Sequence, residues 1–117
     1  AAFVANSSGL VRCAGTGSCS FKGSGKTCAA LAKEPGWCSC SGIEKPGPVA
    51  TSGRKVPGYL VHSNNDTTVS IYYTCALESR MKALGYTLSM SVFSDSHSMP
   101  YLLAVTAWKW LSKYKLP

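Results

Sequence analysis

The chain has 117 residues, which is the length of a single domain that can bury about two-thirds of its surface. It is 45% hydrophobic and 15% charged, and no apolar run approaches the roughly eighteen residues of a membrane span, so the composition excludes a disordered chain and predicts no transmembrane segment. The net charge of +7 favours anionic partners such as phospholipid head groups, acidic glycans or nucleic acid.

Residues 1–58 form the loop-rich part of the predicted domain. Glycine or proline recurs at short intervals, which is typical of loops and turns and argues against long regular elements. One short helix is predicted here, because Thr27 can cap its first turn, residues 28–32 are compatible with a helix, and Pro35 ends it.

Residues 59–117 show a stronger periodicity. A strand is predicted over residues 59–63, and the Asn-Asn-Asp sequence at residues 64–66 predicts a turn. Apolar and polar side chains then alternate over residues 67–75, which predicts a second strand.

The period changes after this second predicted strand. Apolar residues recur at helical spacing over residues 76–84, which predicts a helix, and alternation over residues 86–92 predicts a third strand. A final helix is predicted to begin near Pro100, which suits a first helical turn. Its apolar stripe consists of Leu103, Ala107, Trp110 and Tyr114.

The predicted order of elements is β-β-α-β-α behind a cysteine-rich N-terminal region. This order is typical of an α+β domain in which two or three helices lie on an antiparallel or mixed sheet of three or more strands. We therefore expect one small, disulfide-rich, secreted domain over residues 1–117. Its residues 1–58 are loop-rich and disulfide-knotted, and its residues 59–117 form the regular part.

The cysteines predict disulfides and no metal site. Their number is even, and no two have the C-x2-C spacing that zinc sites normally use, so an oxidising, extracellular compartment is indicated. Cys38 and Cys40 are too close in sequence to bridge each other, and Cys75 must pair with one of the N-terminal cysteines. The other pairings stay open. The predicted disulfide cysteines are Cys13, Cys19, Cys28, Cys38, Cys40 and Cys75.

Two glycosylation sequons agree with a secreted protein. They begin at Asn6 and Asn65, and each has the N-x-S/T pattern of an N-glycan acceptor. The sequence therefore predicts a glycoprotein with these two candidate acceptor sites.

Residues 23–27 read Gly-Ser-Gly-Lys-Thr and contain only part of a phosphate-binding loop. The full motif needs a glycine five residues before its Gly-Lys pair, and this chain has Ser20 there. No apolar strand precedes the segment either. The sequence thus predicts no nucleotide partner and no cofactor.

Basic and aromatic residues favour a binding function. Indole rings beside ammonium groups, as in the C-terminal Trp-Lys-Trp run, are typical of segments that lie at a membrane interface, although a helix this apolar is more often part of a core. We expect a secreted binding protein of the effector, toxin or antimicrobial defence type that acts on an anionic surface or an extracellular protein. The predicted binding residues are Lys22, Lys26, Arg54, Lys55, Trp108 and Lys109.

The alternative function is a small secreted hydrolase, with a ribonuclease first. Cleavage beside a 2′-hydroxyl needs a general base, a general acid and a cation for the charge that develops on phosphorus. His62 and His97 would supply the base and the acid, and Lys22, Lys26 or Lys55 the cation. The competing interpretation is that both histidines are ordinary exposed side chains, one at a strand end and one in a polar turn.

Overall fold

The computed structural model describes residues 1–7, 23–35, 37 and 49–114. Strands and helices alternate along this part of the chain, and its strands form one sheet. In chain order the elements are β1 (Phe3–Asn6), α1 (Cys28–Leu31), β2 (Gly58–Ser63), α2 (Ile71–Ala83), β3 (Leu88–Phe93) and α3 (Tyr101–Leu111). The predictions for Cys13, Cys19, Lys22, Cys38 and Cys40 lie outside the described residues.

The sheet is parallel, with β2 between β1 and β3. The domain does combine a sheet with helices, but the parallel strands differ from the expected antiparallel or mixed sheet. The predicted strand over residues 67–75 does not form, and α2 begins at Ile71 instead. The connection from β2 to β3 is therefore a helical crossover, which is the usual connection between parallel strands.

The early start of α2 follows from a helical stripe of buried side chains. The Ser70 hydroxyl accepts a hydrogen bond from the backbone N–H of Tyr72 and caps the helix. Ile71 and Cys75 lie one helical turn apart, and both pack against Leu31 of α1. Burial of this helical face outweighs the strand preference of the β-branched and aromatic residues at the start of α2.

β1 is a strand that the sequence did not predict. Its four residues are too few for an alternating pattern to stand out. The strand pairs with β2 in a register that places Phe3 opposite Gly58. A Cβ atom on Gly58 would lie 2.4 Å from Cζ of Phe3, so only glycine lets the Phe3 ring lie this close to β2.

Helices cover both faces of the sheet. On one face, Leu60 of β2 packs with Leu77 and Met81 of α2, and the α1 cluster lies on the same side. On the other face, Tyr59 packs with Ala107 of α3. All six residues of β2 are buried, as expected for the central strand of a parallel sheet covered on both sides. Leu103, Ala107 and Trp110 of the predicted apolar stripe pack against the sheet, and Tyr114, which follows α3, packs against the Trp110 ring.

One disulfide is present among the described residues, between Cys28 and Cys75, with Cα atoms 5.5 Å apart. It confirms that Cys75 bridges to an N-terminal cysteine. Cys28 is the first residue of α1, and the Thr27 hydroxyl caps this helix as predicted by accepting a hydrogen bond from the backbone N–H of Ala30. The bridge therefore ties the loop-rich part of the chain to α2.

Candidate active site

Polar side chains meet where the three parallel strands end. Ser7 directly follows β1, Asp66 lies shortly after β2, and His97 lies shortly after β3. Because the strands are parallel, their carboxyl ends share one edge of the sheet, and this edge is where α/β proteins usually bind ligands. The topology therefore brings residues from three distant parts of the chain together.

Asp66 is the centre of this cluster and is 1% exposed. Its Oδ1 accepts hydrogen bonds from the backbone N–H groups of Thr68 at 2.8 Å and Val69 at 2.9 Å. Its Oδ2 lies 2.7 Å from Nδ1 of His97 and 3.2 Å from Nε2 of His62. Both carboxylate oxygens are thus held by fixed donors.

These donors keep Asp66 ionised although it is buried. Burial alone raises the pKa of the Asp66 carboxyl, but hydrogen bonds from the Val69 backbone, the His97 ring, the Thr68 backbone and the Ser7 hydroxyl together lower the pKa below its ordinary value of 3.8. Asp66 is therefore a carboxylate at neutral pH.

Ser7 reaches this carboxylate from a constrained backbone. Its φ of 46° is the only positive value outside glycine among the described residues, and its backbone N–H donates to the carbonyl of Val61 at 2.9 Å. A left-handed conformation costs a serine roughly 1–2 kcal/mol, and such strain tends to occur at functional sites. Its position beside Asp66 is consistent with that tendency.

His62 contacts Asp66 from the interior and is fully buried. Its Nε2 faces two acceptors, the Val69 carbonyl at 2.8 Å and the Asp66 carboxylate, so the proton is assigned to Nε2. Its Nδ1 lies 2.5 Å from the Thr74 hydroxyl and accepts from it. Burial lowers the pKa of His62 below 6.5, although the Val69 carbonyl and Asp66 raise it, so the ring is neutral.

His97 contacts the same carboxylate from the solvent side, with its side chain 46% exposed. Its Nδ1 donates to Oδ2 of Asp66, and this fixes the tautomer in which Nε2 carries the lone pair. A histidine oriented by a buried carboxylate, with its second nitrogen available as a base, is the arrangement that activates hydroxyl nucleophiles in hydrolases.

The loops that carry Asp66 and His97 are held to each other by the Ser63 hydroxyl. It donates to the carbonyl of Asp95 and accepts from the backbone N–H groups of Asn65 and Asp95, both at 3.1 Å. The backbone N–H of Asn64 donates to the carbonyl of Phe93 at 2.8 Å. These bonds fix the spacing between the carboxylate and the imidazole.

The side chain of Asn64 links the same edge to the segment before α1. Its Nδ2 donates to the carbonyl of Gly25 at 3.1 Å, and its Oδ1 accepts from the Ser94 hydroxyl at 2.9 Å. Lys26 in turn donates to that hydroxyl at 3.2 Å. Hydrogen bonds thus connect Lys26, one of the predicted binding residues, to this cluster, and Lys26 also lines a pocket of about 300 Å³ with Lys82 of α2.

Both histidines named from the sequence contact the Asp66 carboxylate, a placement of Asp66 between the two rings that the sequence did not predict. The competing interpretation of His62 as an exposed side chain is wrong, because β2 buries it. An aspartate shortly after an apolar strand is a usable signal for Asp66. That signal needs a parallel sheet, and the strand predicted over residues 67–75 hid it.

The other predicted binding residues that the structure describes do not gather at this edge of the sheet. Arg54 is exposed in the segment before β2, and Lys55 is half-buried there. Trp108 and Lys109 are exposed on α3, which covers the sheet face opposite α1 and Lys26. The basic and aromatic residues therefore form at least two separate surfaces.

Both glycosylation sequons begin at exposed asparagines. Asn6 is the last residue of β1 and Asn65 lies in the turn after β2, so both flank the carboxyl edge of the sheet. Their exposure is what an N-glycan acceptor requires.

Neither metal-binding groups among the described residues nor comparisons with known proteins give a function for this edge of the sheet. Within the described ranges, no group of three or more His, Cys, Asp or Glu side chains is placed to hold a metal ion. No protein-family model matches the chain, and no curated protein and no solved structure is similar to it.

Proposed function

We propose that the protein is an extracellular hydrolase in which His97 acts as general base and then general acid, oriented by Asp66. The observation that carries this proposal is the 2.7 Å hydrogen bond from Nδ1 of His97 to the buried Asp66 carboxylate, at the carboxyl ends of parallel strands. Nearly half of the same His97 side chain is exposed, so a substrate can approach the ring from solvent. The Cys28–Cys75 bridge supports an oxidising compartment.

The reaction that suits one accessible imidazole is acyl transfer from an ester. Nε2 of His97 takes the proton of a hydroxyl nucleophile while the oxygen of that hydroxyl attacks the substrate carbonyl. When the carbon–oxygen bond to the leaving group breaks, the imidazolium returns that proton to the departing alkoxide. The Asp66 carboxylate stabilises the imidazolium between these two steps. Where the nucleophile is a side-chain hydroxyl, Nε2 then takes a proton from a water molecule whose oxygen attacks the acyl carbon, and returns that proton to the side-chain oxygen as the carboxylic acid is released.

A ribonuclease that uses both histidines is a weaker proposal. It needs two imidazoles that reach the substrate, one as base and one as acid. His62 is fully buried, with both ring nitrogens engaged by Thr74, Val69 and Asp66.

The order of Asp66 and His97 along the chain also supports the ester hydrolase. An acid followed by a histidine, after successive strands, is the chain order found in serine hydrolases with parallel sheets.

The hydrolysis of p-nitrophenyl butyrate by the purified chain tests the proposal. We expect His97→Gln to lower kcat/KM by about 10³-fold, because the general base that activates the nucleophile is lost; the p-nitrophenolate group leaves without needing a general acid. Ser96→Ala is the matched control, since it changes an exposed neighbour whose backbone N–H, not its side chain, contacts Asp95. Labelling by a fluorophosphonate probe, followed by peptide mapping, identifies a serine nucleophile.

Two results would overturn the hydrolase proposal. One is wild-type protein that does not hydrolyse the ester above the buffer rate. The other is His97→Gln protein that keeps the wild-type rate, because the observed hydrolysis would then not depend on the Asp66–His97 pair.

A second proposal is a binding function for an anionic surface or an extracellular partner. Its support is the net charge of +7 together with the exposed Trp108 and Lys109 on α3. The proposal predicts binding that weakens as salt is added, because screening shortens the reach of exposed charges. His97→Gln should leave such binding unchanged, so the two proposed functions are tested separately.

A further inference from the structure

The large apolar side chains that the described structure exposes most are all on α3. Tyr101 is 80% exposed, Leu102 77% and Trp108 71%. Tyr101, Val105 and Trp108 follow at helical spacing, so they lie along one side of the helix. We call the side formed by Tyr101, Leu102, Val105 and Trp108 the outer face of α3.

The outer face points away from the sheet. Ala107 is buried, and Leu103 and Trp110 pack beside it against Tyr59 and Val61 of β2. The ring of Trp110 lies 5.4 Å from that of Tyr59, between centroids. The sheet-facing side of α3 therefore accounts for core packing and leaves the apolar outer face without a role in it.

The charged side chains that α3 itself and the residues directly after it carry are all positive. Lys109 and Lys113 are exposed in the last turn of α3 and just after it. Asp95 is the last acidic residue of the sequence, so α3 and the residues after it carry cations without a balancing anion. An apolar helix side flanked by lysines is complementary to a surface that is apolar inside and anionic outside.

We propose that the outer face of α3 docks on a lipid bilayer that contains anionic head groups, an inference that rests on the proposed binding function and names its surface. Trp and Tyr rings favour the boundary between head groups and acyl chains, and lysines bind the anionic head groups. None of the described helices is long and apolar enough to cross a membrane. α3 has 11 residues and would lie in the plane of the interface.

Two other occupants fit this face less well. A second copy of the chain would bring the lysines of one α3 close to those of the other, and like charges oppose that contact. A soluble acidic glycan would bind the lysines but would leave the Tyr101, Leu102 and Trp108 side chains in water. The bilayer satisfies both the charge and the apolar area.

Co-sedimentation with vesicles tests the proposal. The probes are vesicles of phosphatidylcholine alone and of phosphatidylcholine mixed with phosphatidylglycerol. We expect binding to the mixed vesicles only, weakened about tenfold by Trp108→Ser and further by Lys109→Gln, with an unchanged melting temperature because both side chains are exposed. Trp110→Phe is the matched control, since Trp110 faces the sheet and its replacement should lower the melting temperature without changing the affinity of the folded protein.

Three results would overturn the proposal. They are equal vesicle binding by wild type and Trp108→Ser, no vesicle binding by the wild type, and a dimer in sedimentation equilibrium that Trp108→Ser dissociates. If the wild type binds immobilised heparin but not the mixed vesicles, the bilayer is excluded while binding to an anionic surface stands. If neither probe is bound, the binding function falls as well.

Discussion

The two sides of the Asp66 carboxylate hold the same kind of side chain in opposite environments. On the inner side, His62 is fully buried, with both ring nitrogens hydrogen-bonded. On the outer side, His97 uses one nitrogen to contact Asp66, and nearly half of its side chain is exposed. Burial therefore distinguishes an imidazole that holds the carboxylate in place from one that is partly open to solvent, which is the one that exchanges protons with substrate in the proposed mechanism.

The largest expected effect comes from Asp66→Asn, which disturbs both sides at once. The asparagine side chain has one N–H₂ group in place of a carboxylate oxygen, and this group would face donors from either the histidine rings or the backbone. Its remaining oxygen is neutral and accepts hydrogen bonds more weakly than a carboxylate does. We expect kcat/KM for the ester to fall by about 10⁴-fold and the free energy of unfolding to fall by about 3 kcal/mol. Ester hydrolysis and urea denaturation measure the two, with exposed Asp95→Asn as control. An unchanged free energy of unfolding in Asp66→Asn would contradict the prediction that the Asp66 carboxylate and its hydrogen bonds stabilise the fold.

Substituting each histidine in turn separates the inner side from the outer one. His62→Leu removes the donor to the Val69 carbonyl and to Asp66, and should lower the free energy of unfolding by about 2 kcal/mol. His97→Gln should change it by less than about 0.5 kcal/mol, because water can replace a half-exposed ring. Urea denaturation of both variants measures the difference. Equal losses would show that the two sides are not energetically distinct.

A pH series sharpens the same contrast. Burial lowers the pKa of His62 below 6.5, so the unfolded chain takes up a proton at a higher pH than the folded one. The stabilising effect of a neutral His62 is complete above pH 6.5 and is lost as the pH falls through the lowered pKa. Between pH 6.5 and the lowered pKa we expect a slope of at most about 1.4 kcal/mol per pH unit, and below the lowered pKa His62 adds no further slope.

His62→Leu is the control for this slope and should flatten it, as urea denaturation at successive pH values would show. The contribution of Asp66 appears only in stronger acid. The pKa of Asp66 is lowered in the folded state, so the ionised carboxylate stabilises the fold above pH 3.8. This stabilisation is lost as the pH falls through the lowered pKa. A slope that persists in His62→Leu would mean that another group carries the titration.

The smallest expected effect on ester hydrolysis is that of Ser63→Ala, which changes neither side of the carboxylate directly. It removes the hydroxyl that joins the loop of Asp66 to the loop of His97. We expect a loss of about 1–2 kcal/mol of unfolding free energy, and a lower kcat with little change in KM because the distance between Asp66 and His97 is less fixed. A wild-type kcat in this variant would show that other contacts set that distance.

Much of the fold follows from local sequence. The strand over residues 59–63, the turn after it, the Thr27 cap, the third strand and the last helix are all found in or near their predicted places. Each depends on a pattern or a cap within a few residues. The bridge from Cys75 to an N-terminal cysteine followed from counting alone and is present with Cys28.

The parallel sheet and the role of Asp66 could not be predicted from the same patterns. The residues that open α2, Ile71, Tyr72 and Tyr73, prefer strands, and only contacts with α1 and the sheet make a helix more stable there. A strand over residues 67–75 makes residues 59–75 two strands joined by the turn at residues 64–66. That arrangement places Asp66 in a surface turn, with no reason for it to lie near His97. The site depends on topology, which a short window of sequence does not contain.

The pairing of β1 with β2 has a consequence for the order in which the chain folds. β2, α2 and β3 are neighbours in sequence, whereas Phe3 must find Gly58 across a long intervening segment. Closing that segment costs chain entropy before any contact compensates for it, so we expect β1 to join the sheet last. The Cys28–Cys75 bridge shortens the search, because it anchors the middle of that segment to α2. Ser7 reaches Asp66 only when β1 has docked, so the carboxylate gains its full set of donors at the end of oxidative folding.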